Sequence, residues 1–120
     1  MAWDVEYTDE FGAWWETLDA EQEDIAALVE ELENRGPHLP FPYSSGVESS
    51  KYAHMRELRV QSAGSPIRIF YAFNPMRTAI LLIGGDKTGD DRFYERMVPV
   101  ADRLYARHLE ELKKEKRHGG

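Results

Sequence analysis

Cysteine is missing from this 120-residue sequence, which excludes disulfides, thiolate metal centres and thiol nucleophiles together. Apolar runs are short as well: Ala79 to Ile83, as long as any, is far below the roughly 20 residues that a membrane-crossing helix needs. The first ten residues, MAWDVEYTDE, have neither the basic start nor the apolar core of a secretory signal, so a cytoplasmic location is expected. Basic charge is scarce at one end. Residues 1–36 hold twelve carboxylates and a single arginine, a balance that suits a solvated helical face or a surface that repels nucleic acid.

What is present is a segregated charge and enough apolar residues, 42%, for one core in a single domain spanning 1–120. Although the net charge is −7, the stretch from Lys51 to Gly89 sums to plus four. It carries Lys51, Arg56, Arg59, Arg68, Arg77 and Lys87 against Glu57 and Asp86. Such a basic island suits an anion or an acidic partner surface.

Periodicity sorts the chain into elements. Trp3, Val5 and Tyr7 alternate with polar residues as in a half-buried strand. Thr8 or Asp9 can cap a helix carrying Phe11, Trp14, Trp15 and Leu18, weakened by Gly12. Asp19 and Gln22 have the spacing of a capping box for a second helix, whose stripe is Ile25, Leu28, Val29 and Leu32 and which Gly36 and Pro37 end. Residues 37–50 contain three of the six prolines and a Ser/Gly cluster, so an irregular surface connection is expected.

Three strands follow. From His54 to Gln61, Leu58 and Val60 share one face while Met55, Glu57 and Arg59 share the other. After the Ala63–Pro66 turn, Ile67, Ile69, Tyr71 and Phe73 alternate with Arg68, Phe70 and Ala72. If the apolar sets share a core face, then Glu57, Arg59, Arg68 and Phe70 project together from the opposite one. Ala79 to Ile83 reads as a strand inside the sheet, closed by GGDKTG. That ending can offer donors to an anion, but Asp86 and Leu81 stand where a P-loop needs glycines. Pro99 predicts a short turn near Asp91–Arg96 and then a helix from about Val98 to Glu115. Its inward stripe is Tyr94, Met97, Ala101, Leu104, Tyr105, His108 and Leu112, with a frayed tail from about 116. The sum is an α+β fold: a small, mostly antiparallel four-stranded sheet with an N-terminal helical hairpin packed on one face and a C-terminal helix.

HMRELR on the second strand, IRIFYAF on the third and LLIGGDKTG closing the fourth, in that order, resemble the RelE/HigB superfamily of type II toxins, in particular its phage-derived, HigB-like branch. The resemblance covers about residues 3 to 112. It implies a RelE-like fold and a ribosome-associated endoribonuclease that cleaves mRNA without a metal or other cofactor. It also implies a cognate helix-turn-helix antitoxin. Carried over residue by residue, it marks Glu57, Leu58, Arg59, Arg68 and Lys87. Gly85, Asp86, Lys87 and Thr88 stand where many relatives have an aromatic and two lysines.

Metal-free RNA cleavage needs a base for the 2′-hydroxyl proton, cations for the phosphorane and an acid for the leaving oxygen. Arg59, Arg68 and Lys87 are the candidate cations, with Lys87 also the candidate acid, and His54 or Glu57 is the candidate base. Lys51, Arg56, Phe70, Thr88 and Tyr94 are the candidate RNA contacts, Phe70 and Tyr94 by stacking. Strict alternation puts His54 on the side of Leu58 and Val60. Each choice has a plainer reading: Glu57, Arg59 and Arg68 can be a cross-strand ion-pair set, Phe70 and Tyr94 helix packing, and Asp86 a holder of Lys87. His38, His108 and His118 lack metal-ligand spacing. The competing function is a non-catalytic module whose basic sheet docks an acidic protein partner or host factor.

Overall fold

The computed structural model describes residues 2–119, with side chains described as far as Glu115; the expected fraying of the tail lies outside the described side chains. β1 (Val5–Tyr7) leads into α1 (Asp9–Trp15) and α2 (Glu21–Arg35). β2 (Ser44–Gly46), β3 (Arg56–Ser62), β4 (Ser65–Phe73) and β5 (Ala79–Asp86) follow, and α3 (Phe93–Gly119) closes the chain. The sheet has five strands in the order β1-β5-β4-β3-β2. Only β1 pairs in parallel, with β5; the other three pairings are antiparallel.

Two helical layers enclose the sheet. Phe11 of α1 and Ile25 and Leu32 of α2 are buried with Leu58, Val60, Ile67, Ile69 and Tyr71, which is the face that alternation assigns to the core. On the other face Phe70, Ala72, Ile80 and Leu82 pack against Phe93, Met97, Ala101, Leu104 and Tyr105 of α3. β5 is apolar on both sides because it lies between the two layers. A register shift between Phe70 and Tyr71 of β4 lets consecutive residues Leu82 and Ile83 both meet the α3 layer.

The α+β class, the hairpin layer and the C-terminal helix agree with the sequence reading. Three local details differ from it. The proline-rich connection holds a fifth strand, β2, zipped to β3 at Ser44–Leu58, Ser45–Glu57 and Gly46–Arg56. α3 runs through Pro99 instead of starting after it. Both Pro99 and Glu95, whose carbonyl loses its partner there, are exposed, so water can take that carbonyl. The capping box at Asp19 is not formed. Ala20 is the N-cap with no side-chain bond, and the Gln22 amide donates to Trp15 O at 2.9 Å instead. Thr8 does cap α1, its hydroxyl accepting from Phe11 N at 3.0 Å.

α2 stops at Gly36, whose φ of 55° is in the left-handed region that favours glycine. A Cβ at Gly36 would stand 2.4 Å from the Trp3 indole. That ring therefore packs directly on the helix end.

Candidate active site

β3 and β4 bring the site together by register. Arg59 is the direct cross-strand partner of Arg68, and Glu57 of Phe70, so all four side chains leave the same face of the sheet. The Arg68 Nε lies 3.5 Å from Glu57 Oε1, and its Nη1 donates to Ile67 O at 3.1 Å. Glu57 and Arg68 are each only 5% exposed, so the pair is a buried one. The expectation that this face stands open is corrected for Glu57, Arg68 and Phe70, which are buried, with Phe93 and Tyr94 of α3 over Phe70 and Glu57.

The cover is itself polar where it meets Glu57. Tyr94, in the first turn of α3, donates its hydroxyl to Glu57 Oε1 at 2.7 Å. Ser45 of β2 donates to the other carboxylate oxygen at 3.3 Å. Burial, and then the Glu57 carboxylate, push the Tyr94 hydroxyl above its ordinary titration range. The Lys87 ammonium stands 5.5 Å from the centroid of the Tyr94 ring, a cation–π distance. Lys87 is placed by its backbone N–H, which donates to Pro66 O at 3.0 Å. Tyr94 thus joins the ion pair of β3 and β4 to the cation after β5.

Arg59 is half-buried and, among the described residues, makes no ion pair. Its guanidinium sits 5.1 Å from the Phe41 ring centroid. An open groove of about 680 Å³ runs past it, with Asp24 and Leu28 of α2, Tyr43, Val60 and Arg68 among its walls. Arg59 and Arg68 therefore reach a common concavity although their backbones lie inside the sheet.

The other expected residues are placed elsewhere or differently. His54 precedes β3 and its Nε2 lies 2.9 Å from Tyr105 OH. Because that hydroxyl already donates to Phe73 O at 2.8 Å, His54 supplies the proton to it. His54 is exposed, tied to the α3 side, and no hydrogen bond joins it to Glu57 or Arg68. Phe70 is 0% exposed, enclosed by Phe93 and Tyr94 at centroid distances of 6.0 and 6.1 Å, and has no free face on which to stack a base. Arg56 leaves the opposite face of β3 and donates from Nε to Ser44 Oγ at 2.9 Å.

Asp86 does not hold Lys87; its carboxylate accepts from Thr88 N and Oγ1 at 2.9 and 2.6 Å. Those bonds hold its carboxyl below the usual range. Thr88 is exposed and engaged there. Lys51 is exposed, and it shares a shallow groove with Tyr94. Among the described residues no group of three His, Cys, Asp or Glu is placed to hold a metal ion. No described helix is long and apolar enough to cross a membrane.

Sequence reasoning missed Ser45, Phe41 and Tyr43. Nothing in the PFPYSSG stretch signals a three-residue strand, since alternation needs a longer window. It also read Tyr94 for its ring and not for its hydroxyl.

A mixed sheet between a helical hairpin and a C-terminal helix, with cations gathered at one end, is a RelE-like domain. The E. coli toxin RelE, solved as a doubly substituted mutant in the free state, superposes with a TM-score of 0.58 at 12% identity over 81% of this chain and 96% of that one. The archaeal RelE of a RelE–RelB complex from Pyrococcus horikoshii gives 0.55 at 13% identity, over 74% of this chain and 99% of that one. At such identities the likeness is one of fold.

Residues 13–106 match the family described as phage derived protein Gp49-like (DUF891), and the chain belongs to it, within the HigB-like branch of the RelE/HigB type II toxins. Two relatives from Mycobacterium tuberculosis carry toxin names. The putative toxin HigB2 is 38% identical over 104 residues, covering 84% of this chain and 52% of HigB2. The putative toxin HigB3 is 44% identical over 79 residues, covering 65% of this chain and 68% of HigB3. The chain thus spans about half the length of HigB2.

Proposed function

We propose that this protein is the toxin of a type II toxin–antitoxin pair and acts as a ribosome-dependent endoribonuclease on mRNA in the cytoplasm, without a metal. A helix-turn-helix antitoxin, encoded beside it, holds it inactive. One observation carries the reading: Glu57 and Arg59 of β3, Arg68 of β4, Lys87 just after β5 and Tyr94 of α3 come together around one part of the sheet.

Each residue then has a role that chemistry requires. Arg59 binds the scissile phosphate from the groove side, and Lys87 approaches it from the β5 side. Glu57, oriented by Tyr94, Ser45 and Arg68, takes the proton of the 2′-hydroxyl. The 2′-oxygen forms its bond to phosphorus as the bond to the 5′-oxygen breaks, and the Lys87 ammonium gives its proton to that leaving oxygen. The products are a 2′,3′-cyclic phosphate and a 5′-hydroxyl. Arg68 positions the Glu57 carboxylate and lends charge to the same concavity.

The burial of Glu57 and Arg68 favours a second reading, in which the pair is structural and the basic end only docks an acidic protein. Inducible expression separates the two. Wild type should arrest growth and truncate mRNA at ribosome-bound codons, and Arg59→Ala should do neither while folding normally. Combining it with Arg68→Ala extends the test to the buried arginine. Growth unaffected by wild type, with intact mRNA, would remove the nuclease reading.

A further inference from the structure

Two aromatic side chains are left open beside Arg59. Phe41 is 68% exposed and Tyr43 49%, although most other large apolar side chains of the protein are at least partly covered. The turn that carries them is fastened down. Tyr43 N and Ser44 N both donate to Pro40 O, at 2.9 and 3.1 Å, and Arg59 N donates to Tyr43 O at 2.9 Å. Ser44 Oγ is 2.6 Å from the Tyr71 hydroxyl in the core. The rings are therefore presented by a fixed backbone and not by a loose connector.

The charges around them are already sorted. Glu31 is paired with Arg35 at 3.1 Å, and Asp24 accepts from the Ser62 hydroxyl at 2.5 Å. Arg68 is engaged with Glu57. Among the described residues, Arg59 is the cation on that groove wall without an ionic partner, and it lies over the Phe41 ring. A cation for a phosphate and an open ring for a base, side by side, match the two halves of one nucleotide. An acidic protein partner would need the cation but not the ring.

The geometry points to a base-stacking subsite for single-stranded RNA at Phe41, with Tyr43 as its flank and Arg59 on the phosphate of the same nucleotide. It rests on the ribonuclease reading and states where that substrate's base is gripped, replacing the stacking expected of the enclosed Phe70. Arg59 backs one side of the Phe41 ring, leaving the exposed remainder for the base.

The test titrates the full chain with a short RNA made uncleavable by 2′-O-methyl groups, and with the same oligomer made abasic at each position in turn. Wild type should bind one abasic oligomer about 5- to 150-fold more weakly than the intact one, the size of a single base–aromatic stack. Phe41→Ala should bind the intact oligomer at that weakened level and no longer distinguish the two. Phe41→Trp should restore the difference, and its added fluorescence should be quenched by the intact oligomer. Because Phe41 is exposed, an unchanged melting temperature is expected for both variants.

The subsite is overturned if wild type binds no oligomer, if it treats all abasic oligomers alike, or if Phe41→Ala binds RNA as wild type does. Loss of antitoxin binding in Phe41→Ala with its RNA preference intact would overturn it too, assigning the ring to a protein contact. Abasic discrimination without mRNA cleavage in cells would keep the subsite and remove the nuclease reading. Cleavage without discrimination would do the reverse.

Discussion

Arg68 holds its Nε 3.5 Å from Glu57 Oε1 with 6% and 7% of the two side chains exposed, so neither charge has water to fall back on. Breaking such a pair from one side leaves a buried charge, at a cost of about 3–5 kcal/mol. Glu57→Leu and Arg68→Met should each lower stability by that order in urea denaturation. The double variant should lose far less than the sum, because no lone charge remains. mRNA cleavage should be absent from all three, which would separate what the pair does for folding from what it does for chemistry.

Tyr94→Phe tests the link between Glu57 and Lys87. It keeps the ring under the ammonium but removes the hydrogen bond to the carboxylate, 2.7 Å long, at about 1.5–3 kcal/mol for a bond to a charged group. The Tyr94 hydroxyl titrates above the ordinary 10.0, mainly through burial and then through Glu57. Since the folded value is the higher one, its contribution is whole below pH 10 and is lost as pH rises through the folded value. Wild type should therefore lose stability above pH 10 more steeply than Tyr94→Phe in parallel denaturant titrations. Cleavage by the variant should fall without a matching loss of RNA affinity.

How far these residues could be read beforehand depended on the length of the pattern that carried them. Period-two alternation over seven and nine residues put Glu57, Arg59, Arg68 and Phe70 on one face correctly, because one slip would have turned Leu58 and Ile69 to the wrong side. Alternation says which side a residue leaves, not what then covers it. The turn of α3 that encloses Phe70 and bonds Glu57 is more than twenty residues away in the chain. His54 failed for a related reason: β3 begins only at Arg56, so the alternation extended back to it had no strand beneath it. Pro99 marks a helix start by local rule, but Pro99 and Glu95 are exposed, so water can take the carbonyl that the proline leaves free and α3 runs through it.

Close packing between α1 and the sheet makes a prediction at Gly84. A Cβ there would lie 2.3 Å from the Trp14 ring, closer than real contacts allow, so one of the two must move. Gly84→Ala should destabilise by about 1–3 kcal/mol, as overpacking does. Trp14→Leu removes the obstacle. The double variant should therefore be less destabilised than the two single changes added together, in the same urea assay.

The acid side of the stability profile is predicted from Glu10 and Arg107, which tie α1 to α3 by two bonds of 2.6 Å. The Arg107 guanidinium holds the Glu10 carboxyl down to about 2, from 4.5. A lowered folded value means that the contribution is whole above pH 4.5 and is lost as pH falls toward 2. Both side chains are more than a third exposed, so solvent screening holds the pair to less than about 1 kcal/mol. Glu10→Gln should lower stability at neutral pH by no more than that, and its difference from wild type should vanish as pH approaches 2. Added salt should shrink the neutral-pH difference, because an exposed pair is screened. A difference that survives both acid and salt would mean that Glu10 acts through packing on α3 and not through its charge.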